Sequence, residues 1–206
     1  MKISPTLTEV KEIAKTGKYD ILPVSCEILS DFITPIEAMR ILQNVSTHCY
    51  LLESAQANEA WGRYTFLGYD PKLEINCIDG HMKLGKLSVE TENPSEYIRQ
   101  ILSEYKSPKF DYLPSFTGGL VGYFSYDYLG YKEKSIRGKA RDTEDFKDVD
   151  LMLFDKVIAF DNLCQKIILI ANMSLDAPET GYNKAIVELK QLRELLMLSL
   201  IHISEP

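Results

Sequence analysis

The sequence predicts an α+β fold in which mixed, largely antiparallel sheets carry flanking helices. Several β-rich runs are joined by short turns such as Asp79-Gly80 and Asp161-Asn162, as hairpins require. Helical segments are interspersed among these runs without the regular strand–helix alternation that parallel sheets need. The 206 residues are 45% hydrophobic and 26% charged, so there are enough apolar residues for a core.

Capping residues and helical periodicity locate the helices. Thr6 to Lys15 repeats apolar residues at helical spacing, and Gly17 follows as a stop. Thr34-Pro35-Ile36-Glu37 supplies a cap, a first-turn proline and an acid for a helix that runs to about Val45. Two more amphipathic helices are predicted over residues 94–105 and around residues 189–196.

The strands are predicted from β-branched and aromatic runs bounded by turn residues. The strand candidates are residues 20–29, 48–54, 61–69, 72–78, 81–87, 151–160 and 166–171. Residues 48–69 suggest one hairpin, and the other two surround Asp79-Gly80 and Asp161-Asn162. These hairpins predict antiparallel rather than parallel pairing.

Charge and composition exclude several classes of protein. The net charge of -7, without a basic stripe, argues against a nucleic-acid partner, because such binding needs clustered Lys and Arg. No apolar run reaches the roughly 20 residues of a membrane span, and the N-terminus lacks a signal-peptide stretch, so we expect a cytoplasmic protein without a membrane partner. The 4 cysteines and 3 histidines show no metal-site spacing, and we interpret the cysteines as reduced and structural.

One segment combines apolar and polar residues in a pattern that suits a ligand. It is Leu51-Leu52-Glu53-Ser54, which runs on to the stretch Trp61 to Gly68. A purely structural interpretation is a core strand that ends in a polar turn. A free amino acid, however, needs an acceptor for its ammonium group and a donor for its carboxylate. Glu53 and Ser54 offer both, and Leu52 could wall a side-chain pocket.

A second segment, Pro114 to Asp127, contains Gly118-Gly119 and Gly122 among aromatic residues. The G-x-x-x-x-G-K-[ST] and G-x-G-x-x-G patterns of phosphate-binding loops are both absent, which argues against a nucleotide site. Glycines beside aromatics instead predict that two backbones approach closely within a sheet.

Together these segments resemble a known family. L-L-E-S followed by W-G-R-Y-T-F-L-G, and then P-x-F-x-G-G-L-V-G-Y-x-x-Y-D, are similar to the N-terminal region of anthranilate synthase component I. Asp31 to Pro35 matches the family's D-x-x-T-P element, and the resemblance covers roughly Tyr19 to Leu196. It implies the fold shared with aminodeoxychorismate synthase, with residues 1–196 as the N-terminal region. Residues 197–206 depart from the family, and we interpret them as a non-native tail.

The resemblance also implies an activity. Members of this family are lyases that convert chorismate to anthranilate, using Mg2+ and ammonia from a glutamine amidotransferase subunit, component II. Tryptophan inhibits them through a pocket to which Leu52, Glu53 and Ser54 correspond, with Pro35 as a weaker neighbour. The catalytic residues and metal ligands belong to the family's C-terminal half. We therefore predict no catalytic or metal-binding residue here, and we expect this chain alone to be inactive.

Two alternatives remain open at this stage. The first is a sister chorismate enzyme, such as aminodeoxychorismate synthase component I, although the intact L-L-E-S and W-G-R-Y-T-F-L-G elements favour the anthranilate branch. The second is a non-catalytic amino-acid-binding module, which predicts that the chain binds tryptophan by itself. Product identity separates the first alternative from the favoured one, and calorimetry with tryptophan tests the second.

Overall fold

A computed structural model of the chain describes residues 1–53, 62–133, 135 and 146–202, apart from the side chains of residues 198–202. The predicted α+β class is confirmed, because antiparallel sheets and flanking helices make up the described part. The chain divides into two compact units. Unit 1 comprises Met1–Asp70, Tyr105–Gly118 and Asp155–Pro206, and unit 2 comprises Pro71–Glu104 and Gly119–Phe154. No helix among the described residues is long and apolar enough to cross a membrane.

Unit 1 is built on a six-stranded antiparallel sheet. With strands numbered in chain order through both units, its members are β1 (Ile3–Ser4), β2 (Ile21–Leu29), β3 (Cys49–Leu52), β4 (Tyr64–Tyr69), β10 (Lys156–Asp161) and β11 (Lys166–Ser174). Their order across the sheet is β1-β2-β11-β10-β4-β3. Strands β11 and β10 are therefore central, whereas β1 and β3 are edge strands.

Three helices lie in the described part of unit 1: α1 (Leu7–Lys15), α2 (Pro35–Val45) and α4 (Pro178–His202). Both α1 and α2 begin with a capping box, in which Thr6 exchanges hydrogen bonds with Glu9 and Thr34 exchanges them with Glu37. Gly17 follows α1 with a φ of 60°, a left-handed conformation that glycine adopts without strain. The local signals read from the sequence thus set these helix ends.

Both faces of the central strands are covered. On one face the three helices bury a cluster of apolar side chains that includes Leu22, Leu169 and Leu189. On the other face the segment 105–118 covers the sheet, where Leu113 packs against Ile170. Strands buried on both sides need apolar residues throughout, which explains the continuous apolar runs of β10 and β11.

Unit 2, as far as its residues are described, contains a five-stranded antiparallel sheet and one α-helix. Its elements are β5 (Leu73–Ile78), β6 (His81–Leu84), β7 (Leu87–Glu90), α3 (Pro94–Ser103), β8 (Gly119–Phe124), a 3-10 helix (Tyr126–Tyr131) and β9 (Val149–Phe154). The strand order is β7-β6-β5-β9-β8. Ile98 of α3 packs into a core formed with Ile75, Met82 and Leu151.

Glycines fix two tight features of unit 2. Asp79 and Gly80 have φ angles of 48° and 83°, which confirms the turn predicted at this dipeptide. Gly122 has a φ of 150°, and a Cβ atom there would collide with the carbonyl oxygen of Asp150 on β9. The predicted close approach of two backbones is therefore confirmed.

Two strand predictions were wrong. Residues 151–160, predicted as one strand, divide at Asp155 into β9 and β10, which belong to different sheets. Residues 81–87, also predicted as one strand, are interrupted by a turn at Gly85, where φ is 58°. In the first case the charged residues Asp155 and Lys156 lie between two apolar runs, and such a short polar break does not by itself reveal a change of sheet. The separation of residues 197–206 as a tail stays a prediction: α4 extends to His202, and residues 203–206 lie outside the described residues.

Candidate functional site

The candidate amino-acid site lies at the end of edge strand β3. Leu51 pairs with Leu67 and Leu52 with Phe66 on the neighbouring strand β4. Leu51 packs toward the helical layer, and because side chains alternate along a strand, Leu52 faces the other side. The Leu52 side chain is 47% exposed, and Glu53 directly after it is exposed. The structure therefore brings an apolar residue and a carboxylate together at an accessible strand end.

The roles of the other two predicted site residues, Ser54 and Pro35, stay predictions. Ser54 lies outside the described residues, as does the whole stretch 54–61, so its role stays a prediction. Pro35 is half-buried in the first turn of α2, and α2 packs against β3 and β4 on the side of Leu51. The part that Pro35 has in the site stays a prediction.

A group of aromatic side chains lies on the same face of the sheet as Leu52. The rings of Tyr64 and Phe66 have centroids 5.8 Å apart. Phe116 meets Phe66 edge-on at 5.6 Å and meets Tyr50 edge-on at 6.4 Å. Tyr50 is 8% exposed, and burial raises the pKa of its hydroxyl. Edge-to-face contacts of this kind add to area burial, so the group forms a firm apolar surface beside Leu52.

The last glycine of W-G-R-Y-T-F-L-G has a packing role in this surface. Gly68 pairs with Tyr50 across the β3–β4 ladder, and the Tyr50 ring lies over the space that a Cβ atom at Gly68 would occupy. A side chain at position 68 would therefore displace the ring. Gly68 thus allows Tyr50 to lie flat against β4.

The arginine of the same motif forms a bidentate ion pair. The Nε of Arg63 donates to Oδ1 of Asp161 at 3.1 Å, and one terminal nitrogen donates to Oδ2 at 2.8 Å. The Asp161 side chain is 0% exposed, whereas that of Arg63 is 37% exposed. Burial works to raise the pKa of the Asp161 carboxyl, but hydrogen bonds from Arg63 and from the backbone of Cys164 outweigh it and lower the pKa to about 2.

Backbone contacts hold the same region. The Asn162 N–H donates to the carbonyl oxygen of Arg63 at 2.9 Å, and the Asn162 side-chain amide donates to the carbonyl oxygen of Gly62 at 3.4 Å. Sequence reasoning identified Asp161-Asn162 only as a turn and assigned no partner to Arg63. The two partners are 98 positions apart, and no local pattern in one chain reveals such a pairing.

The arrangement suits recognition of a small amphipathic ligand. An apolar and aromatic surface can cover a hydrophobic side chain, and Glu53 can accept hydrogen bonds from an ammonium group. Among residues 1–53, 62–133, 135 and 146–202, no group of three or more His, Cys, Asp or Glu side chains is placed to hold a metal ion.

Comparison with known proteins identifies relatives over nearly the whole chain. No family model matches the sequence. The anthranilate synthase component 1 of Acetivibrio thermocellus is 34% identical over 198 residues, which cover 93% of this chain and 39% of the relative. The corresponding protein of Pseudomonas aeruginosa is 36% identical over 196 residues, which cover 91% of this chain and 39% of the relative.

The fold agrees with these relatives. The crystal structure of anthranilate synthase component I from Streptococcus pneumoniae matches 81% of this chain and 36% of that chain, with a TM-score of 0.52 and 25% identity. The chain thus spans 39% of the length of the two curated relatives described above. It therefore belongs to the anthranilate synthase component I family, in which it corresponds to the N-terminal region.

Proposed function

We propose that this chain is the inhibitor-sensing part of a longer enzyme that converts chorismate to anthranilate for tryptophan biosynthesis. Ammonia would come from a glutamine amidotransferase partner, and tryptophan would bind at the end of β3. The observation that carries the proposal is the position of Leu52 and Glu53, which lie at an accessible strand end beside an aromatic surface. The relatives named anthranilate synthase component 1 support the assignment of the reaction.

The chemistry of tryptophan matches the groups at this strand end. Its indole ring would cover Leu52 and adjoin the aromatic surface, its ammonium group would pair with Glu53, and the Ser54 hydroxyl would donate to its carboxylate. Burying about 200 Å² of indole at about 25 cal/mol per Å² gives about 5 kcal/mol of gross stabilisation. Part of this is lost to the restricted motion of the ligand, so polar contacts at Glu53 and Ser54 contribute to affinity as well as to specificity.

Catalysis is assigned to the part of the relatives that this chain does not match. Magnesium would supply a Lewis acid that holds the carboxylates of chorismate. The described residues do not fit it, since they bring no three candidate ligands together, and we derive no step through the metal. In this proposal residues 1–206 bind no metal-held substrate and turn over no chorismate on their own.

The complete gene product tests the reaction. Supplied with chorismate, ammonium and Mg2+, it is expected to form anthranilate, which is followed by fluorescence, and to be inhibited by tryptophan. A product other than anthranilate would place the chain with the sister chorismate enzymes. The 206-residue chain is expected to form no anthranilate, and turnover by this chain alone would refute the division of labour proposed here.

The inhibitor site is tested by substitution in the complete gene product. Ser54→Phe is expected to raise the inhibition constant of tryptophan at least about tenfold, because overfilling a packed site costs about 1–3 kcal/mol. Glu53→Gln is expected to raise it by a similar factor through loss of the charge pair. Ser88→Phe is the matched control, because Ser88 is an exposed position of edge strand β7 in unit 2. Unchanged inhibition in both site variants would remove the end of β3 from the inhibitor site.

Calorimetry with tryptophan on the 206-residue chain separates a binding module from an incomplete site. We expect no binding in the micromolar range, because the inhibitor pocket of the proposed enzyme is completed by residues outside this chain. A micromolar dissociation constant would instead favour the stand-alone amino-acid-binding module.

A further inference from the structure

The turn between β5 and β6 combines a chemically reactive dipeptide with side chains that hold its backbone. The sequence contains one Asp-Gly dipeptide, Asp79-Gly80, and no Asn-Gly dipeptide. We propose that Asp79-Gly80 is a latent site of isoaspartate formation, and that the Tyr131 hydroxyl suppresses this reaction while unit 2 is folded. The reaction is independent of the inhibitor site proposed above.

Isoaspartate forms without an enzyme when a backbone nitrogen attacks the side chain of the residue before it. The Gly80 nitrogen bonds to the carboxyl carbon of Asp79 in its acid form, and the carboxyl hydroxyl leaves as water with the amide proton. Water then opens the resulting succinimide ring at either carbonyl, which gives aspartate or isoaspartate. Glycine favours the attack because it has no side chain to shield its nitrogen. Water is the only co-reactant.

The first support is the state of Asp79 in the turn. Asp79 is exposed, so water reaches its carboxyl group and the ring that forms from it. Its φ of 48° lies in the left-handed region, which residues other than glycine seldom adopt. The folded turn therefore holds Asp79 in a conformation that it leaves readily when the turn opens.

The second support is the position of the Tyr131 hydroxyl. It accepts a hydrogen bond from the Gly80 N–H at 2.6 Å and donates one to Oδ2 of Asp148 at 2.6 Å. The same carboxylate oxygen accepts a hydrogen bond from the Asp79 N–H at 2.8 Å. The attack requires the Gly80 amide to turn its nitrogen toward the Asp79 carboxyl. The Tyr131–Asp148 pair resists this rotation, because both amide groups of the turn are bound to it.

The third support is the environment of Gly80. Its carbonyl oxygen accepts a hydrogen bond from the Thr91 N–H at 2.9 Å, so Gly80 is held through its carbonyl as well as through its nitrogen. Burial, together with the hydrogen bond to Asp148, raises the pKa of the Tyr131 hydroxyl. The hydroxyl therefore stays protonated and does not take up the amide proton that the attack must release.

Isoaspartate would damage the β5–β6 hairpin. The main chain would then run through the former side-chain carboxyl and gain one methylene group in the turn. The two-residue turn fixes the register in which Ile78 pairs with His81. A longer turn does not fit this register, so unit 2 loses stability once Asp79 isomerises. The Tyr131–Asp148 pair thus protects the hairpin from the chemistry of its own turn.

The experiment measures the rate of isoaspartate formation at position 79 in the complete gene product at neutral pH. Isoaspartate is detected by methylation with an isoaspartyl methyltransferase and located by peptide mapping. Tyr131→Phe removes only the hydroxyl, and we expect the rate to rise about tenfold, because losing the bond to the Gly80 amide favours opening of the turn by about that factor. The parent unfolded in urea gives the unprotected rate, and the folded parent should react at least about tenfold more slowly.

Two control variants assign the effect. Asp79→Gly removes the reacting carboxyl, and glycine adopts a φ of 48° without strain, so the isoaspartate signal at the turn should disappear. Tyr182→Phe removes a different buried hydroxyl, which donates to the carbonyl oxygen of Pro5 at 3.0 Å in unit 1. This variant should leave the rate at position 79 within about twofold of the parent.

The outcomes decide the proposal. An unchanged rate in Tyr131→Phe overturns the protective role, and so does an equal rise in Tyr182→Phe, because the reaction would then follow a general loss of stability. A signal that persists in Asp79→Gly places the reaction elsewhere and overturns the assignment of the site.

A second variant decides if Tyr131→Phe fails to fold. Asp148→Asn keeps the Tyr131 hydroxyl but replaces its charged partner by a neutral one, and the rate should rise about threefold. An unchanged rate in this variant overturns the protective role. A folded parent that reacts as fast as the parent in urea overturns it without any substitution. Each of these outcomes leaves the proposed inhibitor site untouched.

Discussion

Substitution of Gly68 by alanine tests the packing that supports the site. Gly68 lies on β4 opposite Tyr50, and the ring of Tyr50 occupies the space that the new methyl group needs. The ring is 8% exposed and also contacts Phe116 edge-on at 6.4 Å, so it cannot move aside without disturbing its neighbours. We therefore expect Gly68→Ala to destabilise unit 1.

The magnitude follows from two opposing effects. In a strand interior, alanine is favoured over glycine by about 0.5–1 kcal/mol, because glycine loses more conformational freedom on folding. Inserting a methyl group into a packed site costs about 1–3 kcal/mol. The middle values of these ranges, about 2 and about 0.75 kcal/mol, predict a net loss of about 1 kcal/mol. With a urea m-value of about 2 kcal/mol per M, the unfolding midpoint should fall by about 0.5 M.

Urea denaturation of the 206-residue chain, followed by far-UV circular dichroism, measures the change. A double-mutant cycle supplies the control: Tyr50→Leu removes the ring, so adding Gly68→Ala to it should cost about 2 kcal/mol less than Gly68→Ala costs in the parent. If the two substitutions are additive within about 0.5 kcal/mol, the ring contact at Gly68 has no energetic role. An unfolding midpoint of Gly68→Ala equal to that of the parent would also refute the reasoning.

Three other predictions concern single side chains. The pKa of Asp161 is lowered from 3.8 to about 2 in the folded chain. Its ionised form therefore contributes about 2 kcal/mol to the free energy of unfolding above pH 4, and this contribution is lost as the pH falls toward 2. Asp161→Asn should make the free energy of unfolding less dependent on pH over that interval. Cys164 is the exposed one of the four free cysteines, so a thiol reagent should label one group rapidly. Cys164→Ser should abolish this rapid labelling. The buried Cys26, whose pKa is raised to about 11 by burial, should react slowly. Tyr131→Phe removes a hydroxyl that donates to Asp148 at 2.6 Å and accepts from the Gly80 N–H at 2.6 Å. It should lower the free energy of unfolding of unit 2 by about 1–3 kcal/mol, as measured by chemical denaturation. A loss below about 0.5 kcal/mol would show that these hydrogen bonds do not stabilise the unit.

Local chemistry explains which parts of the fold could be predicted from sequence. The starts of α1 and α2 depend on a threonine and a glutamate three positions later, and both partners lie within one turn of the chain. The turn at Asp79-Gly80 depends on the tolerance of two adjacent residues for positive φ. Such features are decided by a few neighbouring residues, so one sequence is sufficient to locate them.

The errors arose where the deciding contacts are distant in the chain. Residues 151–160 are apolar apart from Asp155 and Lys156, and only pairing with other strands shows that β9 joins β5 and β8 whereas β10 joins β4 and β11. The same limit applied to the site. L-L-E-S indicated the strand end correctly, but the pairing of Arg63 with Asp161 depends on three-dimensional packing.

The candidate site lies on an edge strand, where substitutions disturb the fold less than they do in the core. The central strands β10 and β11 are buried on both faces, so substitutions there change core packing and stability together. Leu52 and Glu53, in contrast, lie at the end of β3, where one side chain is half exposed and the other is exposed. Surface substitutions usually change stability by less than about 0.5 kcal/mol. Affinity for the proposed inhibitor at this strand end can therefore change while the sheet stays intact.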